Sequence, residues 1–337
     1  MMRKSIALVL FLSVFISCKV QKEKSVTKAN PEIYGATITP AELKDHLYTF
    51  ASDEFEGRDT GEPGQKKAAN YLKKEYQKIN VGAPINKNQY FQEIPSSFFD
   101  YKFKDSENVV AYIKGSEFPD EIVVLSAHYD HLGVDGQGNI YNGADDDGSG
   151  NVALLEIAEA FKKAAKDGFR PRRSILFLHV TGEEKGLLGS KYYTENPIFP
   201  LENTVANLNT DMIGRIDPKH EDNPNYIYLI GSDRLSTELH ELSEKVNDTY
   251  TNFDIDYTYN EPGDPNRFYY RSDHYNFAKH NIPVIFYFNG THADYHKPTD
   301  TPDKIEYDLL AKRAKLIFYT AWEIANRDKR LEVDKAN

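Results

Sequence analysis

The chain is nearly free of cysteine. Cys18 stands alone among 337 residues, so no disulfide can form inside the fold and no thiolate cage for zinc can be built. Positive charge is also in short supply: 41 Lys plus Arg face 52 Asp plus Glu, a net charge of −11 at pH 7. Proteins that grip a phosphate backbone draw their affinity from clustered Lys and Arg, which makes nucleic acid an unsuitable partner. Long apolar runs are missing too, since the stretch from Ile6 to Ile16 is far shorter than the roughly 20 residues of a membrane-crossing helix. Sixteen Pro and twenty Gly follow no period, which removes collagen-like and linker-like architectures. With 40% hydrophobic and 28% charged residues the composition is that of an ordinary globular protein, long enough for one large domain or two modest ones.

What is present begins at the amino end. Arg3 and Lys4 precede the short apolar run and Ser17 follows it, the parts of a secretory signal. Phe15-Ile16-Ser17-Cys18 resembles the lipobox of bacterial lipoproteins, in which the Cys becomes the lipidated end, with Phe15 in place of the usual Leu. The expectations are a signal peptide over 1–17, a membrane anchor through lipidated Cys18, a polar tether over 18–38, and an exported, cell-envelope location. A plain signal peptide with an incidental cysteine is the alternative.

From Pro40 onward, β-rich apolar runs alternate with segments of helical period, the signature of an α/β sheet with helices on its faces. Strands are predicted over Asn108–Ile113, Glu121–Ala127, Ser174–Val180, Val205–Asn209, Tyr226–Ile230 and Val284–Phe288. Helices are predicted over Ala41–Ser52, Gly64–Ile79, Ser149–Lys166, Leu235–Asp248 and Tyr307–Asn326. Residues 39–330 read as one domain. Within it, Gly214–Arg271 is the least regular stretch and reads as a lid or insertion. Phe268-Tyr269-Tyr270 in that stretch suits either the wall of an apolar pocket or core packing.

In open α/β sheets ligands sit beyond the carboxyl ends of the strands, and those ends are unusual here. His128-Tyr129-Asp130-His131 follows the second predicted strand, and Asp130 is spaced to hold the second ring nitrogen of His128. Asp145, Asp146 and Asp147 stand together where the next helix opens; three adjacent carboxylates repel unless a cation or a helix N-terminus offsets them. The pattern from Asp145 to Glu156 nearly matches a calcium-binding EF-hand loop, but the glycine-rich stretch before it cannot supply the incoming helix. Glu183-Glu184 follows the third strand. A carboxylate committed to a metal has a lowered proton affinity, so ligand and proton acceptor must be different groups. Asp211 ends an otherwise apolar strand, where burial without a partner is costly. Residues 290–300 hold His292, Asp294, Tyr295, His296 and Asp300. Singly, these are acid-capped helix starts or surface pairs. Gathered at one sheet edge, they point to a metal centre of oxygen and imidazole ligands suited to Zn²⁺, Mn²⁺ or Co²⁺, with two metals where one carboxylate is shared.

Taken in order, AHYDHLG, NGADDDGSG, TGEEKGLLGS, NTDMIGR and DYHKPTDTPDKI look like the motifs of the secreted di-zinc aminopeptidases, the aminopeptidase Y-like family of co-catalytic zinc exopeptidases. The likeness runs from about Asp53 to Ile305, including SDEFEGRDTGEPG and RSDHYNF. It implies a mixed, mostly parallel sheet flanked by helices on both faces, and peptide substrates with a free N-terminus. It also implies one zinc on Asp146, Glu184 and His296 and another on Asp146, His128 and Asp211, so that Asp146 rather than Asp145 bridges. By the same resemblance Glu183 is the general base, Tyr295 stabilises the oxyanion, Asp130 orients His128, and Asp273 lies behind the ligands. Many members carry a protease-associated domain before the first metal strand, and residues 94–120 are too few for one here.

Two other functions compete. A glutaminyl cyclase shares the scaffold, but its family generally binds one metal and alters the stretch that reads GADDDGSG here. A non-catalytic metal-binding surface protein would be expected to have lost ligands, whereas all five ligand positions and the base are filled.

Overall fold

The strand runs are apolar at nearly every position, not at alternate ones, as strands covered on both faces must be. The computed structural model describes residues 29–86 and 88–335; the expected signal peptide, Cys18 and the tether as far as residue 28 lie outside them. The strands are β1 (Phe91–Ile94), β2 (Ser106–Ile113), β3 (Phe118–His128), β4 (Gly133–Val134), β5 (Ile140–Tyr141), β6 (Arg173–Val180), β7 (Thr204–Thr210), β8 (Tyr226–Ile230), β9 (Asp254–Asp256) and β10 (Val284–Phe288). Eight of them form one sheet in the order β1-β2-β6-β3-β7-β10-β8-β9, while β4 and β5 make a separate ribbon. Neighbours in the run β6-β3-β7-β10 are parallel, as are β8 and β9; β1/β2, β2/β6 and β8/β10 are antiparallel. The sheet is mixed and mostly parallel, as the resemblance implied. Its four central strands therefore deliver their carboxyl ends to one edge, with His128 level with Val180 in the β3/β6 register.

The helices are α1 (Pro31–Gly35), α2 (Pro40–Phe50), α3 (Pro63–Lys78), α4 (Gly150–Lys166), α5 (Leu188–Glu195), α6 (Thr237–Val246), α7 (His274–Ala278) and α8 (Tyr307–Asn326). One face of the sheet is covered by α1, α2, α3, α4, α6 and α8 in a large apolar core, the other by α5 and α7, whose Tyr193 and Phe277 pack on Val124, Leu176 and Val284. Local chemistry starts several of these helices. At α2, Thr39 accepts the Glu42 amide and donates its hydroxyl to the Glu42 carboxylate at 2.6 Å, with Pro40 in the first turn, a reciprocal cap.

All six predicted strands and all five predicted helices are present, with ends moved by a few residues. Two expectations need correction. The tether does not extend to residue 38: Tyr34 and Ile38 are buried in the main core, and Trp322 lies between two rings, stacked on Tyr34 at 5.8 Å and on Phe161 at 5.8 Å. Residues 214–271 are not a lid as a whole, because β8 and β9 belong to the sheet and α6 packs in the core. Irregular composition there reflects two short strands separated by a helix. Of the three aromatics, Phe268 is buried, Tyr269 half-buried and Tyr270 exposed, so pocket wall and packing are divided among them.

Burying each of Tyr34 and Ile38 contributes about 1.5–3 kcal/mol. A chain begun at residue 39 should accordingly be less stable to urea than one begun at residue 29, by roughly 3–5 kcal/mol; equal midpoints would show that the segment is not part of the core.

Candidate metal centre

The three adjacent aspartates are distinguished by where backbone N–H groups point. Asp145 accepts the Gly214 amide at 2.6 Å on one oxygen and meets Asn289 Nδ2 and His292 Nε2, each at 3.2 Å, on the other. Asp147 accepts the amides of His128 (3.2 Å), Gly150 (2.9 Å) and Met212 (3.2 Å), tying the ends of β3 and β7 to the start of α4. Both are spent as braces. Asp146 lies between them with its side chain turned to the cleft, its Oδ2 buried and without a hydrogen-bond partner. Gly143 permits this turn: its φ is +52°, and a Cβ there would meet the His131 ring at 2.6 Å.

Around Asp146 the expected ligands converge. His128 Nε2 is 3.1 Å from Asp146 Oδ1 and 3.5 Å from Asp211 Oδ1. His296 Nε2 is 3.1 Å from Asp146 Oδ2 and 3.2 Å from Glu184 Oε2. The two oxygens of Asp146 thus face two separate groups. Asp211 is fixed by Ser272, whose hydroxyl donates to it at 2.6 Å, at the end of a buried polar chain running Asn207, Ser126, Asn209, Ser272.

Electrostatics supports cation binding. Against burial, His131, His128 and His296 hold the Asp146 carboxyl well below the usual carboxylate range. Against burial and the Asp146 charge, His131 and His296 bring Glu184 down to about 2. His296 itself, despite burial, is pushed up to about 10 by Asp146 and Glu184. On His128 and His296 the surrounding carboxylates outweigh burial and favour the protonated ring, and a bound cation would take over that pairing with release of the protons. A buried donor set of carboxylate and imidazole, with unpartnered Asp146 Oδ2 and Glu184 Oε1, fits divalent zinc.

Glu183 lines the same cleft but is set apart electrostatically: burial, with Glu184, Asp211 and Asp273 around it, holds its carboxyl well above the usual range against the pull of His128. Its amide donates to Asp130 Oδ1 at 3.1 Å. Tyr295 stacks on His296 at 3.9 Å and lines the cleft. Met212, Phe268, Phe286 and Phe288 form an apolar wall, with Arg271 beside them stacked on Phe268 at 4.7 Å. The positive φ of Met212 (57°) and His296 (55°) marks unusual backbone on both sides of the cleft.

Two expected roles change. His128 Nδ1 is held by the main-chain carbonyl of Asp130 at 3.1 Å, while the Asp130 carboxylate is 3.9 Å away. That carboxylate instead accepts Thr60 Oγ1 at 2.8 Å and the Glu183 amide, so it positions the Glu183 turn. Asp273 is buried and accepts the Ser190 hydroxyl; its neighbour Ser272 is the one that touches a ligand. Burial pushes Asp273 up to about 7.

Residues 108–321 match the family model described as peptidase family M28. The chain belongs to peptidase family M28. A probable leucine aminopeptidase of Arthroderma otae is 30% identical to it over 233 residues, 67% of this chain and 59% of that protein. A probable aminopeptidase of Saccharomyces cerevisiae is 26% identical over 235 residues, 68% of this chain and 60% of that protein. This M28 chain spans less than two thirds of the length of the first curated relatives it matches. Among solved structures, Legionella pneumophila LapB superposes with a TM-score of 0.70 at 22% identity, over 89% of this chain and 76% of that one. A zinc aminopeptidase from Bacillus subtilis does so at 0.66 and 16%, over 88% and 98%. At these identities the likeness shows the fold.

Sequence reasoning missed the residue that holds the M28 site's loops together. Arg58 is fully buried and donates to the carbonyls of Tyr129 (2.9 Å), Asn142 (2.6 Å), Gly143 (2.9 Å) and Phe50 (3.2 Å). It stood inside the quoted EGRDTG stretch, but carbonyl acceptors leave no trace in composition. Ser272 and His131 were likewise passed over inside quoted motifs. Each buried carbonyl left unpaired costs about 1–3 kcal/mol, so Arg58→Met should lower unfolding free energy in urea by at least about 3 kcal/mol; a loss below about 1 kcal/mol would contradict the bracing role.

Proposed function

We propose that this M28 chain is a zinc-dependent aminopeptidase that hydrolyses the N-terminal peptide bond of peptides, using two metals and Glu183 as general base. The observation that carries the reading is the division of Asp146, whose two oxygens face His128 with Asp211 on one side and His296 with Glu184 on the other. Those five side chains would hold the pair of zinc ions, for which Mn²⁺ or Co²⁺ can substitute. Bound there, two divalent cations polarise the scissile carbonyl and ease deprotonation of the attacking water.

The chain's own groups do the rest. Glu183 is free of the ligand set and held by the Glu183 amide bond to Asp130; it accepts the proton of the attacking water and passes it to the departing amine. Tyr295, stacked on His296, donates its phenolic hydrogen to the oxyanion that develops on the former carbonyl. Met212, Phe268, Phe286 and Phe288 exclude water beside the scissile bond and favour an apolar first side chain. Relatives named as probable leucine aminopeptidases agree with that choice.

The test uses residues 19–337 and Glu183→Gln, with bound metal quantified alongside hydrolysis of aminoacyl-nitroanilides and cyclisation of N-terminal glutamine. Expected are cleavage of leucyl, methionyl and phenylalanyl anilides ahead of acidic ones, and retention of metal by the variant with a loss of about 10²- to 10⁴-fold in turnover. Cyclisation alone would establish the cyclase instead, and absence of both reactions a binding protein.

We further propose that Cys18 carries a lipid anchor and that the enzyme works at the cell envelope. The order of residues 1–18, a charged start, a short apolar run and Ser17 before Cys18, supports this. Labelled fatty acid should be incorporated into the wild type expressed in a bacterial host and not into Cys18→Ser, and membrane association should be lost with the label. Label persisting in Cys18→Ser would refute the anchor.

A further inference from the structure

His131 is fully buried at the metal-facing edge, yet neither ring nitrogen makes a hydrogen bond. An imidazole without partners in such a place is costly. Its Nδ1 lies 2.8 Å from Glu184 Oε1 and 3.8 Å from Asp146 Oδ2, and those two oxygens are themselves buried without hydrogen bonds. Three buried atoms with no well-aligned hydrogen bond thus converge on one point, His131 Nδ1 and Glu184 Oε1 in close contact and Asp146 Oδ2 beside them. His296 Nε2 approaches the same point from the cleft side, 3.1 Å from Asp146 Oδ2 and 3.2 Å from Glu184 Oε2. A tetrahedral zinc with bonds near 2.1 Å sets its ligand atoms roughly 3.4 Å apart, and these four separations bracket that edge.

We infer that His131 is a fourth protein ligand on the Glu184/His296 side, so that one metal position is closed by two imidazoles and two carboxylates while the other keeps an open place. The inference rests on the two-metal reading above. The contrast with the second side is direct. There His128 and Asp211 meet Asp146, and the acid nearest them, Asp147, has both oxygens occupied by amides of His128, Gly150 and Met212. Three backbone amides hold it as a brace, so the ligands assigned to that position are His128, Asp211 and the shared Asp146. Closed four-ligand sites are the structural kind and open three-ligand sites the reactive kind. The two positions accordingly divide the work: the His131 side fixes Asp146, Glu184 and the His296 loop, and the His128 side receives the substrate.

The backbone holds His131 in this pose. Its amide donates to the Arg58 carbonyl at 3.1 Å, and its ring lies against Gly143, where a Cβ would collide with it. The position is prepared before any ion arrives, as a tight site requires.

Metal-stripped wild type, His131→Ala and His131→Gln are titrated with Co²⁺, following visible absorption, and with Zn²⁺ against a chromophoric chelator. Four-coordinate cobalt absorbs far more strongly than five- or six-coordinate cobalt, so geometry is read directly. In wild type, two ions should bind, one of them tightly and with strong absorption. In both variants that strong absorption should fall several-fold and the tight Zn²⁺ constant should weaken by more than about 100-fold, beyond the 10- to 100-fold typical of a lost outer hydrogen bond; the weaker ion should be unchanged. Gln can still donate to Glu184 but offers no imidazole nitrogen, so recovery of tight binding in His131→Gln would reduce His131 to a positioning residue and overturn the inference. Unchanged cobalt absorption in His131→Ala would overturn it too. Melting of the metal-free variants at or above the wild-type temperature shows that the fold is intact, because the substitution removes an unpaired buried group. Should wild type itself take up fewer than two ions, the two-metal reading falls and this inference with it; two ions in wild type with an unaltered variant remove the His131 assignment alone.

Discussion

Carboxylate crowding at one end of the sheet is the constraint on which the rest of the molecule depends. Asp130, Asp145, Asp146, Asp147, Asp211, Asp273 and Asp300 are all buried there, and ionised groups out of water must be paired or hydrogen-bonded. Backbone amides do most of this work. Asp300 takes the amides of Asp145 and Asp146, Asp145 that of Gly214, Asp147 those of His128, Gly150 and Met212, and Asp130 that of Glu183. Most of these bonds join segments remote in sequence. The acids braced by amides are therefore what assembles the cleft, whereas Asp146 turns an unpartnered oxygen into it and Asp211 is met there by the Ser272 hydroxyl.

The complementary half of the problem is the carbonyl groups of the same loops. Two buried guanidinium groups meet it: Arg58 gathers Phe50, Tyr129, Asn142 and Gly143, and Arg313 gathers Ile213, Arg215 and Tyr226. Both are lowered in proton affinity by burial, yet a guanidinium stays charged under such conditions and its rigid fork of donors suits several acceptors at once. Acids on the amides and arginines on the carbonyls form one scaffold that aims His128, Glu184, Asp211 and His296 while leaving their side chains at the cleft.

Much of this was legible in the sequence because strand ends and metal motifs coincide. The strands β2, β3, β6, β7, β8 and β10 are buried over most of their length around apolar runs, and the His and carboxylate groups at their ends stand out against those runs. Short edge strands β1 and β9, with three or four residues and mixed burial, carry too little pattern to separate from loops. The five-residue helices α1 and α7 are below the length at which period can be read, and the lysine-rich stretch before α1 masks the burial of Tyr34 and Ile38. The roles of Asp130 and Arg58 were hidden for another reason: they act through main-chain partners, which every residue possesses and no composition reveals. In the triple aspartate the motif identified the facing residue, whereas the division of labour among the three depends on amides from Gly214 and Met212, remote in sequence.

The stacking of Trp322 between Tyr34 and Phe161 has an optical meaning. It is the chain's single tryptophan, so the whole indole emission of the protein originates at the place where the first helix meets the last. Emission reports whether the amino-terminal segment is seated, separately from events at the metal-facing edge of the sheet. The fold thereby contains its own fluorophore for the junction between its first and last helices.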